Sequence, residues 1–255
     1  MLTTSLLPLL LIPFAHPTIA QKSSSKRGLV YVPSSNPKQA FDARFWDSPQ
    51  SDLTWYYNYQ SQPSARFENS TKLQFVPQLW GLPPTESDMT FYNDVKSRID
   101  DGKNVSYVLG FNEPDGYSDG GSGVDPAAAA RAWIRVIEPL KKMGVKLGAP
   151  AVTGSPRGFT WLQQFFTACA GNCSADFIPV HWYGNFEGLA SHVGQVNGTY
   201  KNMSMWITEY ALNDASLQES QAFYNQSADF FDRLRYSDAL RHGRPGRSSQ
   251  LTTRS

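Results

Sequence analysis

Two glutamates in this sequence follow segments that are otherwise apolar. Glu113 stands in LGFNEPD, directly after a run of β-branched and aromatic residues, and Glu209 stands in WITEYA, within a second such run. His181 ends a third run, in PVHWYG. A charged carboxylate beside an apolar segment is costly unless it has a partner or a role. The two glutamates therefore form the first candidate site in the chain.

Two facing carboxyl groups are what glycoside hydrolysis requires. One gives a proton to the leaving oxygen, while the other, ionised, attacks the anomeric carbon or activates water. A separation of roughly 5–5.5 Å leads to retention of configuration, and one of about 6.5–9.5 Å leads to inversion. Two other interpretations stay open: Glu113 and Glu209 could form salt bridges at the rim of the fold, or they could bind a divalent ion together with His181.

The elements that position these residues alternate between strand and helix patterns, which predicts a parallel sheet. Seven strands are predicted, at residues 28–32, 53–59, 73–80, 107–111, 146–151, 176–183 and 204–210. Helices are predicted at residues 88–99, 126–143, 159–169 and 217–234. This rhythm favours an α/β fold of the (β/α)8 barrel type, in which the site lies at the carboxyl-terminal ends of the strands. Glu113 and Glu209 then share one rim, at strands four and seven.

The eighth strand of such a barrel has no clear candidate. Residues 235–255, RYSDALRHGRPGRSSQLTTRS, show neither a strand pattern nor apolar periodicity. We therefore predict an incomplete barrel, with the eighth strand missing and a basic, disordered tail over residues 235–255. Strands one and seven would then expose unpaired ladder edges.

Composition narrows the class of protein. The 255 residues carry 23 Lys and Arg against 22 Asp and Glu, a net charge of +1, which argues against a strongly basic nucleic-acid binder. Aromatic residues make up 13% of the chain, which suits a surface that stacks on flat ligands, although such rings also fill cores. Two cysteines are too few for a disulfide scaffold or a four-ligand zinc site. Cys169 and Cys173, in CAGNC, suit a short-loop disulfide in an oxidising compartment, or else two unpaired thiols.

The N-terminal segment predicts export. Residues 1–20 combine a short apolar run with small residues at a signal-peptidase site, although no Lys or Arg precedes the run, and the alternative is a buried strand. Residues 21–27 form a polar lead-in. After residue 20 no segment is long and apolar enough to cross a membrane, so we expect a secreted or wall-associated protein. Six Asn-x-Ser/Thr sequons agree with export, at Asn69, Asn104, Asn172, Asn197, Asn202 and Asn225.

Four blocks of sequence carry a family resemblance. The segments LGFNEPD, PLKKMGVKLGAPAVTG, WLQQFF with CAGNC and ADFIPVHWYG, and WITEYA together resemble glycoside hydrolase family 128, in the clan of retaining (β/α)8 hydrolases. The resemblance implies a fungal catalytic domain over residues 28–234. It implies a monomer that cleaves β-1,3-glucan internally at the cell wall. The near-neutral charge argues against a nucleic-acid partner, and the lack of a later long apolar segment argues against membrane association once the signal is removed. We also expect no cofactor and no metal.

The resemblance also implies roles for single residues. Glu113 matches the acid/base of the family and Glu209 matches its nucleophile. Asn112 would hydrogen-bond the sugar 2-hydroxyl. His181 would line the cleft on the same strand face as Tyr183, two residues on, whose hydroxyl is placed to donate to Glu209.

Other candidates come from the residues alone. Trp80 ends predicted strand three, and Tyr57 and Asn58 lie at the end of predicted strand two, so all three could form subsites against pyranose rings, although Trp80 could instead pack in the core. His192 is placed in a loop. Four further tryptophans are predicted core residues: Trp55, Trp133, Trp161 and Trp206.

Two other functions compete with a β-1,3-glucanase. One is a non-catalytic glucan-binding or wall-organising protein, an idea that the missing strand and the aromatic cleft favour and the paired carboxylates oppose. The other is a hydrolase of the same clan that acts on a different β-glycan, such as a mannan or a β-1,6-glucan. Paired carboxylates do not separate these hydrolases, because linkage specificity depends on the shape of the cleft.

Overall fold

Eight parallel strands form the centre of the protein. The computed structural model describes residues 26–33, 44–118, 120–234 and 247–249. The predicted signal peptide, most of the lead-in and most of the basic tail lie outside the described residues. The strands are β1 Arg27–Val30, β2 Leu53–Tyr57, β3 Gln74–Phe75, β4 Tyr107–Leu109, β5 Lys146–Gly148, β6 Phe177–Tyr183, β7 Ser204–Ala211 and β8 Arg247–Ser249.

The sheet closes on itself. Its strand order is β3-β2-β1-β8-β7-β6-β5-β4, and a parallel bridge between Gln78 and Leu109 joins the segment after β3 to β4. The prediction of a (β/α)8-type barrel is therefore confirmed. Among the described residues no helix separates β2 from β3, where the chain runs through turns.

The eighth position of the barrel differs from the sequence expectation. Residues Arg247–Ser249 pair with β1 at three positions and with β7 at one, Ile207 opposite Arg247. The prediction that no strand stands at the eighth position is wrong. The strand found there is nevertheless short, and a single residue pair joins it to β7. Ladder pairing uses main-chain groups, so a three-residue strand needs no apolar side-chain pattern and leaves no signal of that kind in the sequence.

Helices pack around the strands. They are α1 Thr90–Asp100, α2 Pro126–Val136, α3 Pro156–Cys169, α4 Phe186–Thr199 and α5 Leu217–Arg233, with a 3-10 helix at Glu138–Met143. Among the described residues, none of these helices is both long and apolar enough to cross a bilayer. The structure joins Cys169, at the end of α3, to Cys173 by a disulfide.

Capping residues explain where α2 begins and ends. The Asp125 side chain accepts hydrogen bonds from the N–H groups of Ala127 and Ala128, at 3.0 and 2.9 Å, and Pro126 takes the first position. The predicted single helix over 126–143 stops at Val136 instead, because Pro139 has no N–H group and its ring clashes with the preceding turn. The chain continues as the 3-10 helix, which ends at Gly144 with φ 84°.

One helix has no counterpart in the sequence prediction. Residues Phe186–Thr199 contain Gly188, Gly194 and Gly198, which lower helix propensity and mask the pattern. Their apolar positions Leu189, Val193 and Val196 nevertheless share one buried face. His192 therefore lies on α4 and not in a loop.

Aromatic rings fill the barrel interior. Phe177 stacks on Trp206 with ring centroids 4.4 Å apart, and Trp206 lies 5.0 Å from Trp55. Gly28 makes room for this layer, because a Cβ there would come within 2.1 Å of the Trp55 ring. All four tryptophans predicted to be core residues are buried.

An ion-pair cluster links β1 to its surroundings beside the short eighth strand. The Arg27 guanidinium lies 2.6 Å from Asp52, just before β2, and 3.4 Å from Asp232, near the end of α5. Its side chain is only 10% exposed, so water screens these contacts poorly.

Replacing Arg27 by Gln should therefore lower the free energy of unfolding by about 1–3 kcal/mol, because two part-buried carboxylates would lose this guanidinium. Chemical denaturation followed by circular dichroism measures the change. The matched control is Lys96→Gln, which removes an exposed pair with Asp100 and should have a smaller effect. Equal effects in the two variants would contradict a role for Arg27 in barrel closure.

Candidate active site

The backbone after β4 holds Glu113 in an unusual conformation. Its φ of 39° lies in the left-handed region, which costs a side chain free energy unless the surroundings impose it. Those surroundings are main-chain bonds: the N–H of Glu113 donates to the Ala151 carbonyl at 2.6 Å, and that of Asn112 donates to the Trp80 carbonyl at 2.9 Å. The Glu113 side chain is thereby fixed at the rim, where it is 13% exposed.

Glu209 lies within β7 and is almost fully buried. Its side chain is 4% exposed, so it has lost nearly all contact with water. Three phenol hydroxyls replace that water. Tyr57 and Tyr59 donate to Oε1 at 3.0 and 2.7 Å, and Tyr183 donates to Oε2 at 2.7 Å. Charge-assisted hydrogen bonds of this kind are about twice as strong as neutral ones.

The phenols stay protonated in this environment. Burial raises the pKa of Tyr57 and of Tyr59 well above the usual range, and the negative charge of Glu209 raises each pKa further. Both hydroxyls are therefore hydrogen-bond donors at any physiological pH, and the carboxylate of Glu209 is held with its oxygens in fixed positions.

His181 lies between the two carboxylates. Its Nδ1 is 3.0 Å from Oε1 of Glu113 and 3.6 Å from Oε2 of Glu209, and the residue is 1% exposed. Burial by itself would lower the pKa of His181. The charge of Glu209, the hydrogen bond and charge of Glu113, and the charge of Asp115 outweigh burial and raise the pKa above its usual value of 6.5.

The three side chains also form a compact group of potential metal ligands. One ligand atom each from Glu113, His181 and Glu209 lies within 4.8 Å of the others, so the divalent-ion interpretation is geometrically open. The three phenols oppose it. They direct hydrogens at both oxygens of Glu209, which satisfies the carboxylate without a cation.

Two predicted subsite residues do not face a ligand. Tyr57 is fully buried and its hydroxyl bonds Glu209, so its ring is not available to stack on a sugar; this prediction is wrong. Asn58 is 5% exposed, and its amide is used within its own loop, donating to the Gln62 carbonyl at 2.9 Å and accepting from the Gln60 N–H at 3.2 Å. Sequence position at a strand end does not distinguish a residue that faces the cleft from one that supports it.

Other predicted residues lie where a ligand could reach them. Trp80 is 41% exposed and Tyr183 is 40% exposed, unusually open for rings of this size. Asn112 is buried; its Nδ2 donates to the Gly120 carbonyl at 3.1 Å, and its Oδ1 is among the described atoms that lack a hydrogen-bond partner. A buried acceptor of this kind suits a hydroxyl donor from outside the chain.

Two important residues were not identified from the sequence. Tyr59 lies two residues beyond Tyr57, in the run YYNYQ, and that alternation was the available signal. Asp115 is buried, accepts from the N–H and hydroxyl of Thr153 at 2.9 and 2.5 Å, and lies 3.6 Å from Arg157. It anchors the loop that carries Glu113 to the loop after β5, a link between segments far apart in sequence.

The fold and the site together define a class of protein: a (β/α)8 barrel with two glutamates held at the carboxyl-terminal ends of strands four and seven is the arrangement of two-carboxylate glycoside hydrolases. The chain belongs to the family described as glycosyl hydrolase catalytic core, whose family model matches residues 28–238. This match and the family 128 structures described next confirm the predicted membership of glycoside hydrolase family 128.

Individual relatives agree with this assignment. Alkali-sensitive linkage protein 1 of Schizosaccharomyces pombe is 30% identical over 219 residues, which cover 82% of this chain but only 37% of the relative. The chain thus spans little more than a third of that protein's length. Among solved structures, a family 128 curdlan-specific exo-β-1,3-glucanase from Blastomyces gilchristii, in complex with glucose, is 26% identical with a TM-score of 0.69, covering 89% of this chain and 90% of its own. A family 128 endo-β-1,3-glucanase variant from Amycolatopsis mediterranei, in complex with laminarihexaose, is 25% identical with a TM-score of 0.65, covering 89% and 88%.

The raised pKa of His181 predicts how stability depends on pH. A group whose pKa is higher in the folded state stabilises the fold fully below its unfolded value of 6.5, and that contribution is lost as pH rises through the folded pKa. The melting temperature should therefore fall as pH increases above 6.5. In His181→Gln this part of the fall should be absent. Thermal melts across neutral and alkaline pH test this, and parallel profiles for the two proteins would contradict it.

Proposed function

We propose that the protein is a secreted hydrolase that cleaves β-1,3-glucan internally, with retention of configuration. The observation that carries the proposal is the environment of the two glutamates. Glu209 accepts hydrogen bonds from three phenol hydroxyls, and Glu113 faces it across the buried His181. β-1,3-Glucan is proposed as the substrate because the family 128 enzymes from Blastomyces gilchristii and Amycolatopsis mediterranei act on it.

The distances favour retention. One oxygen of Glu113 and one of Glu209 lie within 4.8 Å of each other, which is nearer to the separation of roughly 5–5.5 Å in retaining enzymes than to the one of about 6.5–9.5 Å in inverting enzymes. In the first step Glu113 gives its proton to the glycosidic oxygen while Glu209 attacks the anomeric carbon, and the bond to the leaving sugar breaks. In the second step Glu113 takes a proton from water, which displaces Glu209 from the sugar.

The residues around the two glutamates each have a part in these two steps. His181 Nδ1 bonds Oε1 of Glu113, so the other oxygen of Glu113 is the one left to exchange a proton with the substrate. The phenols hold Glu209 in position and stabilise its charge before attack. Their hydrogen bonds weaken as that charge moves into the new bond between Glu209 and the anomeric carbon. Trp80 is open enough to stack on a pyranose ring, and Asn112 Oδ1 can accept from a sugar hydroxyl.

Secretion to a fungal cell wall is part of the same proposal. The disulfide between Cys169 and Cys173 and the six sequons support an oxidising, exported environment. The fission-yeast relative supports a fungal setting. We propose that the protein acts on wall polysaccharide as a monomer.

Replacing either glutamate tests the catalytic assignment. Glu113→Gln and Glu209→Gln should each lower hydrolysis of a laminarin-type glucan by about 10²–10⁴-fold or more, because each removes a group that takes part in bond cleavage. Binding of the glucan should survive in both. The matched control is Glu187→Gln on the exposed side of α4, which should keep full activity.

The wild-type product decides between the remaining mechanisms and functions. Proton NMR of the first product should show the β-anomer, and product sizing should show a range of oligomers. An α-anomer would overturn retention, and glucose alone would replace internal cleavage by exo action. Binding to insoluble glucan without sugar release by the wild type would favour the non-catalytic alternative, and release only from a mannan or β-1,6-glucan would change the substrate.

Tyr59→Phe should lower kcat by about tenfold to a hundredfold with little change in KM, because one hydrogen bond to a charged group is lost while the ring remains packed against Tyr57. Steady-state kinetics on a soluble laminari-oligosaccharide measure both constants. Tyr200→Phe, at the end of α4 away from the site, is the matched control and should behave as wild type. Unchanged kcat in Tyr59→Phe would remove that phenol from the mechanism.

A further inference from the structure

The six sequons are not scattered over the barrel. Five occur where the chain leads into a strand, which places them at the amino-terminal end of the barrel, opposite the two glutamates. Asn69 precedes β3, Asn104 precedes β4, Asn172 precedes β6, and Asn197 and Asn202 precede β7. The sixth, Asn225, lies on the outer face of α5.

These side chains can be reached by a modifying enzyme. Of the six asparagines, five are exposed and Asn197 is half-buried. At Asn104 the hydroxyl of Ser106, the third residue of that sequon, lies 2.5 Å from Oδ1, so the asparagine and its serine face each other in an exposed loop.

The opposite end of the barrel carries no sequon in its described loops. It nevertheless offers exposed asparagine: Asn213 lies in the loop between β7 and α5, four residues after Glu209. This residue is followed by Asp214 and Ala215, so a single hydroxyl is missing from a sequon beside the cleft. An N-linked oligosaccharide at that point would stand between the cleft and any solid surface.

We propose that the amino-terminal end of the barrel is an N-glycosylated face, and that the carboxyl-terminal end is kept free of glycans so that the cleft can lie against insoluble polysaccharide. The second half of this proposal rests on the proposed function; the first half rests only on export. The chemistry is transfer from a lipid-pyrophosphate-linked oligosaccharide. A bond forms between the sugar C1 and the asparagine Nδ2, the bond from C1 to the pyrophosphate breaks, and the amide loses one proton.

One sequon on this face should be an exception. The Asn172 Nδ2, the atom that would take the sugar, donates to the carbonyls of Cys169 and Ala170 at 3.1 and 3.4 Å. Ser174, which completes this sequon, donates its hydroxyl to Glu138 at 2.5 Å, and the residue between them is the disulfide-bonded Cys173. Folding of the CAGNC loop therefore competes with modification.

Glycopeptide mapping of the full chain, secreted from a eukaryotic host, tests the first half. We expect glycans at Asn69, Asn104 and Asn202, and lower occupancy at Asn172 that rises in the double variant Cys169→Ser/Cys173→Ser. Unmodified peptides at Asn69, Asn104 and Asn202 in a protein that has lost its signal segment would overturn the proposal. This measurement does not involve activity, so it is independent of whether the chain hydrolyses glucan.

A new sequon beside the cleft tests the second half. Ala215→Thr completes the sequon at Asn213, and Ala215→Val, which has the same shape without the hydroxyl, is the matched control. Once mass spectrometry shows a glycan at Asn213, binding to insoluble β-1,3-glucan should be lost in Ala215→Thr, kept in Ala215→Val, and restored when an endoglycosidase trims the glycan. Full binding by the glycosylated Ala215→Thr protein would overturn the idea of a bare face, whereas absence of sugar release by an otherwise binding-competent wild type would overturn only the proposed function.

Discussion

A carboxylate buried in the mouth of a barrel must recover the hydration that it has lost. The Glu209 side chain is 4% exposed, and an ionised group in that position costs several kcal/mol without compensation. Tyr57 and Tyr59 from the end of β2 and Tyr183 from β6 supply that compensation through three hydroxyls. Because β2 and β6 lie on different sides of β7, the donors meet only when the sheet has closed into a barrel. The hydrogen bonds that compensate Glu209 therefore depend on the whole fold.

Closure in turn depends on how the interior is filled and how the weakest position is held. Phe177, Trp206 and Trp55 form a continuous layer of rings, and Gly28 accommodates it because any side chain there would overlap the Trp55 ring. At the eighth position three residues complete the sheet, and Arg27 connects β1 to the segment before β2 and to α5. The barrel is therefore held by interior packing and by side-chain links where main-chain pairing is shortest.

Several misassignments share one cause, which is that local patterns do not contain tertiary information. Three glycines weaken the helix pattern of α4 in the sequence. Packing of its apolar face against β6 and β7 stabilises the helix nevertheless. Tyr57 stands at a strand end like a cleft residue, but the closed barrel turns its hydroxyl to Glu209. Asp115 looks like one more acidic loop residue, and only the approach of Thr153 makes it an anchor.

By itself the sequence determined the strand and helix rhythm, the barrel class, the family and the identity of Glu113 and Glu209 as a pair at one rim. These properties follow from side-chain periodicity and from short motifs, which are local and can be read along the chain. Tertiary structure alone decided the three phenols on one carboxylate, the place of His181 between the two glutamates, the three-residue eighth strand and the separation of the sequons from the cleft. Those features depend on distances between residues far apart in sequence, and such distances exist only after the parallel strands have closed into a ring.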